Sequence, residues 1–406
     1  FRVPGNAGAN TLHLAEALNL EGKITPVSSD HISAKNRLIK VNGKLHKLPN
    51  SLRSTFSKLP PFSKPLILHL LNDLKAPSVL SSDESFFSFA QRRFGTEVAK
   101  YAIDPLCRGV FAGNAKDLSV MALAKRVYAL EQEYSSVIKG FILDSKYAEK
   151  EDASLKSSLS ERAKRQKWSI WSLEGGLESL VRAMEERVNN GNVEILKETN
   201  IRQIECKGDK VELVTDKKTY TVDKAISCLP ANVLSNLVKG WNADLHFLLK
   251  SIPFVSVGLV NLEYPGDIIK EPGFGYLVPS SEPSKVLGVI YDTCTFPHEG
   301  KTVLTVMMGG YWFKEFFQDD PSPESFLEIA KDEIRTTFNT SVEPTDFKVS
   351  ILKDCIPQYT VGHFERVSNI KKLLAGTPLH VAGNSYEGVG VNDVIYNTKK
   401  VIQSLL

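Results

Sequence analysis

The sequence predicts an α/β fold in which domains are assembled from separate stretches of chain. Three observations carry that expectation. Val- and Ile-rich strand groups flank a long run, 51–150, in which strand alternation disappears and Pro and Gly separate helical segments. A glycine-rich loop joins the last strand to the last helix. The composition, 42% hydrophobic and 24% charged over 406 residues, is that of a folded globular protein. At roughly 150 residues per domain, this length accommodates two or three domains.

Taken in order, Asn10 or Thr11 caps an expected first helix running through Leu20, with Leu12, Leu14, Ala17 and Leu18 on one face. Leu38–Val41 and Leu45–Leu48 read as strands joined by Asn42-Gly43, a two-residue hairpin signal. In the helical run Ser63 is expected to cap and Pro65 to enter the first turn ahead of Leu66, Leu70 and Leu74. Ser81 with Glu84 reads as a capping box before Phe86, Phe87 and Phe89. Polar residues 150–165 form a linker or solvated helix, and Gly175-Gly176 precedes an amphipathic helix with Leu177, Leu180, Val181 and Met184. Short strands are expected at 193–196, 201–206, 210–215, 219–222 and 225–228. A second strand group follows at 254–263, 275–278, 286–291 and 303–308, then a helix opened by Ser322-Pro323 and a strand at 347–352. The last unit is a strand at 379–382, a loop from Gly383 to Gly390, and a helix to Leu406.

Several function classes find no support. The net charge of +3 supplies no concentrated basic field for nucleic acid. Five scattered cysteines make neither a disulfide framework nor a Cys-x-x-Cys zinc motif, so reduced thiols and no metal are expected. No stretch approaches the ~20 apolar residues of a membrane span. The eight histidines are dispersed, and no acid, base or nucleophile constellation stands out, so no catalytic side chain is assigned. The loop Gly383-Asn384-Ser385-Tyr386-Glu387-Gly388-Val389-Gly390 permits close backbone approach, and the N–H groups and dipole of the next helix favour an anion or a polarised ring edge. An ordinary strand-to-helix turn explains the same glycines equally well.

Ala382-Gly383-x-x-x-x-Gly388-x-Gly390 before a terminal helix resembles the closing motif of the flavin-containing amine oxidase superfamily. More closely, Pro61–Leu66, Leu106-Cys107-Arg108-Gly109-Val110-Phe111-Ala112-Gly113-Asn114, Gly273-Phe274-Gly275, Leu277–Ser281 and Ser385–Val389 resemble the protoporphyrinogen oxidase family, along essentially the whole chain. The resemblance implies an FAD/NAD(P)-binding Rossmann-like domain, a mixed-sheet substrate domain and a helical insert. The family's opening strand, G-x-G-x-x-G loop, ribose-binding acid and active-site arginine have no counterpart here, so the chain is expected to be the later part of such an enzyme, with weak FAD retention alone. The implied segments are 1–30, 165–240 and 373–406 for FAD, 31–50 and 241–372 for substrate, and 51–150 for membrane binding.

By position, the resemblance assigns FAD contacts to Ile201, Asn384, Val389, Gly390 and Val391, and substrate contacts to Arg37, Phe274, Gly275, Leu277 and Met307. It implies oxidation of protoporphyrinogen IX to protoporphyrin IX: six electrons leave in three flavin-mediated steps, and O2 becomes hydrogen peroxide. It also implies a homodimer at the inner mitochondrial membrane, peripheral and on the intermembrane-space side. Residues 59–74, with Phe62, a leucine-rich helix and Lys58, Lys64 and Lys75 nearby, suit interfacial docking, and a buried helix suits them equally. Two other readings stay open, a different flavin amine oxidase and an inactive tetrapyrrole-binding fragment. Phe274-Gly275-x-Leu277 suits a wide planar substrate better than a small amine.

Overall fold

The computed structural model describes residues 1–3, 5–79, 83–144, 152–189, 191–318 and 321–405. The chain divides into two compact units. One comprises Phe1–Ser29, Glu149–Pro253 and His363–Leu406; the other comprises Asp30–Ala148 and Phe254–Gly362. The helical stretch therefore shares a unit with the large sheet, while 241–253 and 363–372 fall in the first unit.

The second unit is built on a seven-stranded sheet, in the order Asp346–Pro357, Phe254–Pro265, Lys301–Gly310, Val286–Tyr291, Gly275–Leu277, Leu38–Val41, Lys44–Lys47. Neighbours are antiparallel except Gly275–Leu277 beside Leu38–Val41. Asn42 and Gly43 take φ of 51° and 71°, the left-handed geometry that a two-residue hairpin of the twist-compatible type demands. The period of two then sorts the faces. Leu38, Tyr276, Val289, Val306 and Val260 pair in register on one face and pack against Phe326, Ala330, Ile334 and Phe338 of the Pro323–Phe338 helix. Ser322 caps that helix as expected, its hydroxyl accepting from the Ser325 amide.

Helices and turns, with no strand, occupy the described residues of 51–144. Their starts differ from expectation. Pro65, not Ser63, is the N-cap of Leu66–Leu70 and offers no side-chain acceptor to the first turn, while the Ser63 amide donates to Glu97 at 2.9 Å. The proposed cap at Ser81 lies outside the described residues. Ser85 caps Phe86–Phe94 through the Ser88 amide, and Glu84 turns to Arg92. The helix ends in a 3₁₀ turn, Leu71–Leu74 after Leu66–Leu70, and the pair is polarised opposite to a core helix. His69 and Asp73 are buried, whereas Leu68, Leu71 and Leu74 are 46%, 42% and 41% exposed. Phe62 is 3% exposed and packs on His69 and Tyr101, so it does not belong to that outward stripe.

In the first unit the opening helix spans Gly5–Ala17, starting before the expected cap. Thr11 lies buried inside it, its hydroxyl donating to the Ala7 carbonyl one turn back instead of to a helix start. Ile24–Ser28 pairs antiparallel with Trp168–Leu173, and Leu12, Trp171 and Leu180 form the core beneath. Ile201–Lys207, Lys210–Thr215 and Thr219–Val222 form the expected meander. The strand expected at 193–196 is absent: Val193, Ile195 and Leu196 are exposed, and a short apolar run without a sheet to join does not make a strand. Ala225–Ser227 and Leu379–Val381 pair in parallel, and the terminal helix is Val391–Gln403.

Candidate functional site

Within the sheet unit, Leu277 and Met307, two of the residues proposed for substrate contact, fall on the face opposite the helix-packed core. Ile39, Leu277, Gly288, Met307 and Leu259 are successive cross-strand partners in one row. The glycine at the centre of the row leaves room for Leu277, whose Cδ2 would stand 2.9 Å from a Cβ there. The bulge at Leu287 adds a further apolar residue beside Met307. At the Leu38–Val41 end of the row, the Arg37 guanidinium sits over the Phe274 ring, 4.8 Å from its centroid, and donates through Nη1 to the Ser33 and Asn36 carbonyls. Phe274 is fixed by its own backbone: its amide donates to Asn36 O at 3.1 Å and its carbonyl accepts from Tyr291 N at 3.0 Å. Gly275 has φ of +139°, and a Cβ there would overlap the Val289 carbonyl oxygen. Its glycine is thus required by backbone packing as well as by any ligand. Of the five sequence-assigned residues, Leu277 and Met307 lie in this row, Gly275 begins the strand of Leu277, and the Arg37–Phe274 pair flanks the row where the Gly275–Leu277 and Leu38–Val41 strands begin.

Three residues absent from the sequence assignment shape that face. Gly109 and Gly288 both approach the Leu277 side chain. Leu259 extends the row beyond Met307. Gly288 carried a readable signal, since a glycine amid Val286-Leu287-x-Val289-Ile290 weakens a strand unless something packs against it. Gly109 sits in a helix that sequence alone does not dock on any strand.

In the first unit, the parallel strands Ala225–Ser227 and Leu379–Val381 run out together at their carboxyl ends. One feeds the Ala231–Val238 helix, the other the glycine loop and the Val391–Gln403 helix. Ser385 Oγ accepts from the Ala231 amide at 3.0 Å, and Ala382 N donates to Ser227 O at 2.9 Å, so the two loops are tied together. Gly383 and Gly388 have φ of +112° and +77°. Gly390 is the N-cap and supplies no side-chain acceptor to the first helical turn. Asp393 accounts for part of the glycine pattern, because a Cβ at Gly388 would overlap its side chain and one at Gly390 would stand 3.0 Å from its Oδ2. Ile201 lines an apolar cavity of about 250 Å³ with Leu213, Ile226, Cys228 and Leu379. The structure thus brings Ile201, and separately Asn384, Val389, Gly390 and Val391, to this one strand pair.

Comparison with known proteins decides the family. The model for flavin containing amine oxidoreductases matches residues 2–400. The chain belongs to the flavin containing amine oxidoreductase family. Among members of known name, protoporphyrinogen oxidase of Homo sapiens is 38% identical over 418 aligned positions, covering 100% of this chain and 86% of that protein. Protoporphyrinogen oxidase of Dictyostelium discoideum is 28% identical, covering 98% and 84%. In fold, the chain is similar to a candidate protoporphyrinogen oxidase from Exiguobacterium, at TM-score 0.77 and 22% identity over 100% of this chain and 87% of that one. It is also similar to cyclohexylamine oxidase from Brevibacterium oxydans, at TM-score 0.64 and 14% identity, covering 98% and 85%.

The residues present fit a flavin. The loop edge at 382–391 combines left-handed glycines, a helix start without a side-chain cap, and the Ser227 hydroxyl, which is buried and makes no hydrogen bond. Ligands of α/β proteins seat at this carboxyl edge of parallel strands, where backbone N–H groups and the dipole face outward. Tyr386, whose hydroxyl is likewise buried without a partner, has its pKa pushed up by burial, so it stays a neutral donor beneath the loop. One unit thus carries a strand edge whose residues fit a flavin, and the other an apolar cross-strand row flanked by the Arg37–Phe274 pair.

Proposed function

We infer that the chain oxidises protoporphyrinogen IX to protoporphyrin IX with FAD as cofactor, in porphyrin and haem biosynthesis. The observation that carries the substrate is the apolar row Ile39–Leu277–Gly288–Met307–Leu259 with Arg37 on Phe274 at its end. A tetrapyrrole macrocycle is a broad disc with apolar faces and carboxylates on one side. Leu277 and Met307 offer dispersion contacts to its face, Phe274 an aromatic edge or face, and Arg37 the charge that a propionate pairs with. On the cofactor side, Asn384, Val389, Gly390 and Val391 would hold the isoalloxazine end and Ile201 the adenine side. A bound flavin supplies the two-electron acceptor, three turnovers completing the six-electron oxidation with three O2 reduced to hydrogen peroxide. The protein's residues bind and orient, which agrees with the lack of an assigned acid or base.

The decisive experiment follows porphyrin fluorescence as the flavin-loaded protein consumes protoporphyrinogen IX in air. Turnover of primary amines without porphyrin formation would overturn the reading in favour of another amine oxidase. Arg37→Ala is expected to raise KM about tenfold or more with kcat changed less than twofold, since a charge-assisted hydrogen bond contributes ~1.5–3 kcal/mol. An unchanged KM would remove Arg37 from the substrate site.

The proposed setting is the inner mitochondrial membrane, peripheral, on the intermembrane-space side, as a homodimer. Among the described residues no helix is long and apolar enough to cross a membrane. The outward stripe Leu68, Leu71, Leu74, near exposed Lys75, supports attachment to a lipid surface. Replacing all three leucines by Ser is expected to weaken binding to anionic phospholipid vesicles by about tenfold or more while leaving the unfolding midpoint unchanged. Co-sedimentation and calorimetry check the two halves of that statement.

A further inference from the structure

We propose that Gly109 and Arg108 are positioning residues for the substrate face: together they set where Leu277 stands, and so the shape of the surface on which the macrocycle lies. This rests on the assignment of Leu277 to that face.

The Asp104–Val110 helix presents Asp104 and Arg108, one turn apart, to the segment that follows the Gly275–Leu277 strand. Asp104 accepts from the Ser280 amide at 2.6 Å and from the Ser280 hydroxyl at 2.8 Å. Arg108, 1% exposed, donates to the carbonyls of Pro279 and Ser284 at 2.6 Å each and lies over the Trp312 ring at 4.8 Å. Its pKa is pushed down to about 10 by burial, so the guanidinium is charged at neutral pH and its bonds to those carbonyls are charge-assisted. A planar fork that grips two carbonyls five residues apart holds the connection between two strands as a clamp, which a Lys point charge does not reproduce.

The clamp fixes the helix over Leu277, and Gly109 makes the seat. A Cβ at 109 would overlap Leu277 Cδ2 and stand 3.2 and 3.4 Å from its Cγ and Cδ1. On the other side a Cβ at Gly288 would stand 2.9 Å from the same Cδ2. Two glycines from different elements therefore hold one isobutyl group between them. A side chain at 109 therefore displaces Leu277 from its seat in the row. The neighbouring Cys107 thiol, pushed up to about 12 by burial, plays no reactive part.

The test is a double-mutant cycle on the flavin-loaded protein, with KM and kcat for protoporphyrinogen IX and the unfolding midpoint measured for Gly109→Ala, Leu277→Ala, the pair, and Arg108→Lys. The expected result is a KM raised about tenfold by Gly109→Ala and less than twofold when Leu277 is already Ala, kcat being little changed. Arg108→Lys is expected to raise KM several-fold. A Gly109→Ala protein that folds only when Leu277 is truncated supports the same coupling. Equal effects of Gly109→Ala in both backgrounds, or none in either, would overturn the proposal. A normal KM for Leu277→Ala overturns both the assignment of Leu277 and the proposal, whereas absence of porphyrin from the unsubstituted protein overturns the proposed reaction itself.

Discussion

Gly275→Ala is expected to lower the unfolding midpoint of the sheet unit by on the order of 10 °C, corresponding to ~3–5 kcal/mol at roughly 2–4 °C per kcal/mol. The backbone at 275 has φ of +139°, which L side chains rarely adopt, and the methyl would overlap the Val289 carbonyl oxygen and stand 3.0 Å from Ile290 Cα. Neither obstacle is the far end of a flexible side chain. The Gly275–Leu277 strand must part from Val286–Tyr291, its antiparallel partner, or the residue must abandon its conformation. Loss of that pairing also frees Phe274, whose carbonyl accepts from Tyr291, and with it the ring beneath Arg37. Calorimetry and steady-state kinetics together separate two roles. A glycine needed only to leave room for a macrocycle gives a raised KM with an unchanged midpoint; a fallen midpoint shows that the backbone requires it.

That distinction marks how far the sequence could be read. Strand periodicity and turn chemistry are local, so Asn42-Gly43, the 201–222 meander and the Ser322-capped helix were all legible from neighbours a few residues apart. Register is not local. That Leu277, Gly288 and Met307 share one row depends on pairings 11 and 19 residues apart in the chain, and no pattern within any one strand specifies it. Val193–Leu196 has a strand's composition but lacks a sheet edge to join, and Thr11 has a cap's chemistry but donates backward within its helix. At the glycine loop the ligand reading and the turn reading were equally open. Gly388 and Gly390 leave room for Asp393, which argues for the turn; the buried, unpartnered Ser227 hydroxyl at the same strand edge argues for a ligand. The fold supports both at once, since an acidic residue in a first helical turn is favourable with or without a cofactor nearby.

Arg93→Met is expected to destabilise the sheet unit by ~3–5 kcal/mol, because it strands buried charge. Arg93 and Asp73 are both fully buried; Nε donates to Asp73 Oδ1 at 2.5 Å, and Nη2 to the Asp73 and Ser135 carbonyls at 2.8 and 3.0 Å. Nη1 reaches the carbonyls of Ala76 and Pro77 and the buried Glu131 carboxylate. Asp73 also accepts from the Ser136 hydroxyl and the Ile138 amide, so one guanidinium and one carboxylate tie three chain segments to the Leu71–Leu74 turn. Methionine fills most of the volume but leaves the buried Asp73 carboxylate without its cation, while Glu131 keeps Arg92. The same turn holds Leu71 and Leu74 outward, with Asp73 pointing inward between them, so the buried pair explains why apolar side chains face solvent here. Vesicle binding is therefore expected to fall together with the unfolding midpoint in Arg93→Met. In the triple leucine variant it falls alone. Should Arg93→Met melt within about 1 kcal/mol of the unsubstituted protein, the network is not what orders this turn, and the outward leucines need another cause.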